Sequence, residues 1–261
     1  MQIGKPGRAV TAICEAHADR IEVRGRDLTG DLMGRVTFTD YFYLLVTGRE
    51  PTANQRYFLD LLLVAIAEHG LVPTVQAARM TLAAAPNSLQ GAVAAGILGA
   101  GPVILGTSEL CARLIEDVNA KAASGADPGE AALESVRRIK ESGGRAPGFG
   151  HPVHKPVDPR AERIFALAAE RGVAGKNVET AKRIGAAVNA VWGKPLVMNV
   201  SMPIAAVLLD LGFPASMVKA IPILARTASL LAHLAEEQTM PIGFVLSANA
   251  EAAIAYEKHD A

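Results

Sequence analysis

The sequence predicts an all-α fold, on three observations. Half of the residues are hydrophobic but only 5% are aromatic, so the core must be built from Ala, Leu, Val and Ile. Ala and Leu are strong helix formers, and Ala loses no side-chain entropy in a helix. Apolar side chains also recur at helical spacing in most segments. With 261 residues the chain can bury a sizeable core, as one large domain or two unequal lobes.

Taken in order, the segment IEVRGRDLTGDL reads as short extended structure with turns at Gly25 and Gly30. Thr37 or Thr39 caps a helix that ends near Gly48, and Pro51 enforces the stop. Residues 54–69 place Phe58, Leu61, Leu62, Ala65 and Ile66 on one face and end at His69-Gly70. Helices follow over Thr74–Ala85, Leu89–Gly99, Ser108–Ala123 and Gly129–Glu141. The run SGGRAPGFGHPVHKPVDPR, with four glycines and four prolines, is the least helical part. Helices resume at 159–171, 177–192 and 201–211, and a last long one spans Pro214–Glu237.

Lys plus Arg and Asp plus Glu balance at 26 each without a basic stripe, which argues against a nucleic-acid partner. Cys14 and Cys111 are far apart and make no disulfide framework. The opening MQIGKPGRAVTAICEAHADR lacks the apolar stretch of a signal peptide. Thr81 to Ser108 carries no charge, but its prolines and glycines interrupt the roughly 20 apolar residues a membrane span needs. A cytoplasmic protein without a membrane partner is expected. No dinucleotide loop, Walker lysine, HExxH or G-x-S-x-G motif is present.

Of the six histidines (His17, His69, His151, His154, His233, His259), only His151 and His154 form a close pair. An H-x-x-H in a Pro/Gly loop can hold a metal, but no further Cys or His lies near it in sequence, so no metal is expected. Arg226 and His233 are two turns apart and share a helix face. An arginine flanked by Ile221, Ile223, Leu224 and Leu230 is costly to bury without an anion. Two roles stay open for it: an ion pair with Glu236 or Glu237, or an anion clamp.

Pro147-Gly148-Phe149-Gly150-His151, with Lys155 and Asp158-Pro159-Arg160, resembles the catalytic-loop signature of the citrate synthase superfamily. Other blocks fall in family order: Arg24-Gly25, TF…YLLVTG…PT, Glu68-His69 ahead of Arg79, Gly101-Pro102, Asn199-Val200, Ala225-Arg226, Ala232-His233 and Glu236. They span nearly the whole chain, which is much shorter than typical members.

The resemblance implies a two-lobed all-α homodimer or higher homo-oligomer with its active site in the cleft. Residues 1–106 and 214–261 would form the large lobe and 107–213 the small one. His151 would be the general base or acid at the substrate hydroxyl, and His69 a hydrogen-bond donor to the same substrate. Arg160 and Arg226 would clamp carboxylates, as bidentate guanidinium groups do. The loop Arg145, Ala146, Pro147, Gly148, Phe149 and Gly150 would receive the adenine end of coenzyme A. The implied ligands are a coenzyme A thioester as substrate and a small polycarboxylate, with no prosthetic group.

Two positions depart from the family pattern. Its Gly-Pro-any-His-Gly-Gly motif aligns with Gly101-Pro102-Val103-Ile104-Leu105-Gly106, and its aspartate after Asn-Val aligns with Ser201. The family histidine holds the thioester enolate and the aspartate moves the α-proton; neither Ile104 nor Ser201 can. Proton transfer could pass to His154, His17, Glu109 or water. After Arg226 no arginine follows, where family synthases place one that reaches the partner's site. The resemblance therefore implies a citryl-CoA lyase-like carbon–carbon lyase. Citrate synthase and a non-catalytic acyl-CoA or dicarboxylate-binding paralogue are the alternatives.

Overall fold

The computed structural model describes residues 9–257. The first eight residues of the opening stretch, and His259, lie outside that range. The chain divides into two compact units, Met1–Asp60 and Leu61–Ala261.

In the first unit, β1 (Cys14–Ala16), β2 (Ile21–Val23) and β3 (Arg26–Asp27) form an antiparallel sheet in that order. Gly25, at φ +76°, turns β2 into β3. The extended segment expected up to Leu32 stops earlier, because Leu28–Leu32 winds into a helical turn. The Asp27 carboxylate causes this by accepting from the Thr29 and Gly30 N–H groups. Helix α1 (Phe38–Thr47) follows, with the Thr37 hydroxyl as its cap and Gly48 left-handed at its end, both as the sequence predicts. Val23, Leu32 and Leu44 form the small core here. Helix α2 (Ala53–Ala67) contains the division between the units.

The second unit carries the remaining helices. α3 (Pro73–Ala84) packs against α4 (Leu89–Leu98), α10 (Ala220–Glu237) and α11 (Gly243–Ala253). Their core is Val75, Ala78, Leu82, Ala92, Leu230 and Leu234. Gly96 lets α4 approach this closely, since a Cβ there would meet Leu230 Cδ1 at 2.6 Å and the Thr74 carbonyl at 2.8 Å. α5 (Thr107–Ala123) packs on α6 (Pro128–Glu141), α8 (Lys176–Trp192) and α9 (Ser201–Asp210), and α9 packs on α7 (Pro159–Glu170). Asp210 ties α9 to the start of α8 by accepting from the Gly175, Asn177 and Val178 N–H groups.

The long last helix expected from Pro214 is interrupted. A single 3-10 turn, Ala215–Met217, precedes α10 at Ala220. Pro222 has no N–H to give the Val218 carbonyl, so the hydrogen-bond ladder breaks there although the backbone stays right-handed. Two elements were not predicted. β1 is only three exposed residues long, and α11 buries only Gly243 among its residues, so neither carries a clear apolar period.

Candidate active site

Apart from His17, which the first unit carries, the candidate residues lie in the second unit, and loops rather than helix interiors supply most of them. Loop 142–158 lies against the segment before α9. Gly150 N–H donates to the Val197 carbonyl at 2.7 Å, Asn199 N–H to the Gly148 carbonyl at 2.8 Å, and the Asn199 amide to the Gly150 carbonyl at 3.1 Å. Gly148 adopts φ +79°, and a Cβ there would meet Cys111 Sγ at 2.7 Å. Glycine is therefore required at this position for both conformation and space.

Asp158 locks the far end of the loop. Its buried carboxylate caps α7, and it accepts from Arg160 N–H, from Arg160 Nε and Nη2 at 3.0 and 2.9 Å, and from Val200 N–H at 3.1 Å. Burial pushes its pKa up, but the Arg160 and Val200 hydrogen bonds outweigh that and hold it below the ordinary carboxylate value. One edge of the Arg160 fork is thus occupied.

His151, His69 and His154 converge. Ring centroids are 5.2 Å apart for His69 and His151, 5.5 Å for His69 and His154, and 4.2 Å for His151 and His154. One ring nitrogen from each lies within 4.8 Å of the other two. His151 Nδ1 accepts the Val153 and His154 backbone N–H groups at 3.1 and 2.9 Å. That pattern assigns the proton of the neutral ring to Nε2. Burial, aided by the charges of His154, Arg160 and His69, lowers the His151 pKa, while Asp158 pulls the other way. His69 Nε2 is buried without a hydrogen-bond partner among the described residues. A metal ion does not suit the trio, because a ligating Nε2 would force a proton onto Nδ1, against two N–H groups.

Arg226 sits on α10 and is only 2% exposed. Its Nε and Nη1 have no hydrogen-bond partner among the described residues. Burial lowers its pKa against the field of Glu68, yet a guanidinium keeps its charge. The ion pair with Glu236 or Glu237 weighed from sequence does not form, because Arg79 takes both carboxylates, at 2.5 and 2.6 Å. Glu68 instead faces the Arg226 side of α10. It accepts from the Ser229 hydroxyl and the His69 and Gly70 N–H groups, and pairs with His233 Nε2 at 3.0 Å. Sequence reasoning had Glu68 only as a neighbour of His69; no local pattern reveals that residues 226, 229 and 233 turn toward it.

A cavity of about 600 Å³ adjoins His151. The segment Arg145–Pro152 lines it, with Pro102, Val103, Thr107, Leu110 and Asn199. All six residues expected to receive coenzyme A are among them. Val103 and Asn199, close in sequence to Ile104 and Ser201, are lining residues, whereas Ile104 and Ser201 themselves are not. Leu105, standing at a glycine of the family motif, adopts the left-handed conformation at φ 67°.

The family model for the citrate synthase C-terminal domain matches residues 54–242. The chain belongs to the citrate synthase family. Within that family, a solved structure of citryl-CoA lyase from Hydrogenobacter thermophilus superposes with a TM-score of 0.83 at 29% identity. The match covers 97% of this chain and 96% of that one. ATP citrate lyase from Methanothrix soehngenii, in complex with citrate and coenzyme A, shares the fold at TM-score 0.77 and 21% identity, over 99% of this chain and 43% of that one. Citrate synthase from Haloferax volcanii is 28% identical over 199 residues, 75% of this chain and 50% of that protein. The chain spans about half the length of the curated relatives it matches. The all-α citrate synthase-like fold expected from sequence is therefore observed.

Proposed function

We propose that the protein is a citryl-CoA lyase-like enzyme, cleaving the coenzyme A thioester of a polycarboxylate into acetyl-CoA and oxaloacetate. The observation that carries this reading is the nearly end-to-end likeness to a citryl-CoA lyase. The site chemistry supports it. Arg226 is buried with Nε and Nη1 lacking a partner among the described residues, which calls for a carboxylate, and Arg160, whose Nε and Nη2 are held by Asp158, offers Nη1 as a second anchor. His151 presents Nε2–H to the oxygen on the cleaved carbon, and His69 supports the same oxygen. The cavity beside the Arg145–Gly150 loop takes coenzyme A. No prosthetic group is part of this reading.

The packing of α5–α9 together, and of α3, α4, α10 and α11 together, supports lobes that meet near residues 106 and 213. The working form is a homodimer. Leu98, Leu231 and Phe244 on the second group of helices are 86%, 45% and 69% exposed, and a second copy would cover them.

A second reading has its own support. Ile104 and Ser201 remove the family's enolate-holding histidine and aspartate, which fits a protein that binds acyl-CoA without turning it over. Incubation with citryl-CoA, and separately with acetyl-CoA plus oxaloacetate, distinguishes the cases. The lyase reading requires oxaloacetate from the first mixture and loss of that activity in His151→Ala. Free coenzyme A from the second would mark a synthase. Silence in both, with coenzyme A still bound, would leave the binding protein.

A further inference from the structure

The three rings meet at a point that one oxygen atom can occupy. The ring nitrogens lie within 4.8 Å of one another, and at that upper limit the centre of the triangle is about 2.8 Å from each corner, an ordinary hydrogen-bond length. A hydroxyl oxygen bonded to carbon can take three such contacts, accepting two hydrogen bonds and donating one. His151 can fill only a donor role, since the peptide of His154 and its neighbour fix its proton on Nε2. One of the other two rings must accept. His69 and His154 are both half-buried, but the His69 Nε2 atom is shut from solvent while His154 stands on the exposed loop 151–157, where water can hydrate a charged ring.

We infer that His154 is the proton acceptor for the substrate's tertiary hydroxyl, with His151 and His69 as donors to the same oxygen. This rests on the lyase reading above. In the step, the O–H bond breaks and its proton passes to the His154 lone pair. The oxygen's electron pair forms the ketone C=O. The bond between the carbinol carbon and the thioester's methylene breaks, and its electrons become the enolate of acetyl-CoA. That carbon then takes back the proton from the His154 imidazolium, so protons and charge balance over the cycle. His154 thereby supplies the base and acid functions that the position of Ser201 supplies elsewhere in the family, and that the His151 tautomer denies to His151.

The test compares citryl-CoA cleavage by wild type, His154→Gln and His69→Gln, with coenzyme A affinity as a check on folding. Glutamine keeps size and a donor but cannot take a proton. His154→Gln should lower kcat about 100-fold or more with KM changed less than about threefold. His69→Gln should raise KM and spare most of kcat. His154→Gly should regain at least about tenfold in rate on adding imidazole, which a space-filling role would not permit. A kcat for His154→Gln within about threefold of wild type, or a folded His154→Gly that imidazole does not rescue, overturns the inference while leaving the lyase reading standing. A wild type that does not cleave citryl-CoA removes the lyase reading, and this inference with it.

Discussion

His151 Nδ1 accepts the backbone N–H of His154 at 2.9 Å, so the peptide carrying one ring sets the tautomer of the other. This contact makes His151 a hydrogen-bond donor toward the site. It also ties the ring's protonation to the loop's conformation, since a proton on Nδ1 would expel two N–H groups.

That coupling has a sign in pH. The folded His151 pKa lies below its ordinary 6.5, mainly through burial and the neighbouring His154. Below pH 6.5 the unfolded chain binds a proton that the folded ring refuses, so stability falls as pH drops through the window beneath 6.5. Asp158, depressed below 3.8, loses its contribution only at lower pH. Urea unfolding at pH 7.5, 6.5 and 5.5 should show a shallower decline for His151→Gln than for wild type. Parallel slopes would separate the ring from the effect.

Arg226 should trade stability for binding. It is buried with two nitrogens unpartnered among the described residues, so Arg226→Met should stabilise the free protein by about 1 kcal/mol or more. The same variant should lose citrate binding in calorimetry while coenzyme A affinity stays within about threefold. Citrate affinity that survives the change would make Arg226 a structural residue.

Arg79 is the contrasting case, an arginine held by protein carboxylates. Removing it with Arg79→Met strands Glu237, which is 4% exposed and also accepts from the Ile242 and Gly243 N–H groups. A loss of about 3 kcal/mol in urea unfolding is expected. Ligand affinities per folded molecule should not change.

Gly148→Ala should damage the coenzyme A loop directly. The new methyl group would lie 2.7 Å from Cys111 Sγ and 3.0 Å from Met202 Cβ, on a left-handed residue. We expect destabilisation of about 1–3 kcal/mol and weakened coenzyme A binding, read by unfolding and calorimetry.

Leu98→Asp combined with Phe244→Asp should convert the proposed dimer to a monomer in sedimentation velocity. Both side chains are exposed, so folding of the single chain should survive.

Much of this was legible in sequence, for local reasons. Thr37 announces the start of α1 because capping chemistry is written within three residues, whereas the caps Asp127 and Asp158 emerge only in the structure. The glycine-rich loop and His151 were found through a dense motif. What sequence hid was set by distant contacts. Arg79, not Arg226, meets Glu236 and Glu237 because α3 crosses that end of α10. The resemblance placed His69 and His151 at one substrate, but not the ring of His154 beside them. No pattern could reveal which nitrogen of His151 carries the proton.

The most direct measurement is a single turnover, with enzyme in excess over citryl-CoA and the mixture quenched at intervals. The account predicts one equivalent each of acetyl-CoA and oxaloacetate, formed by wild type and not by His151→Ala. Citryl-CoA recovered intact from wild-type protein that demonstrably binds it would contradict the account.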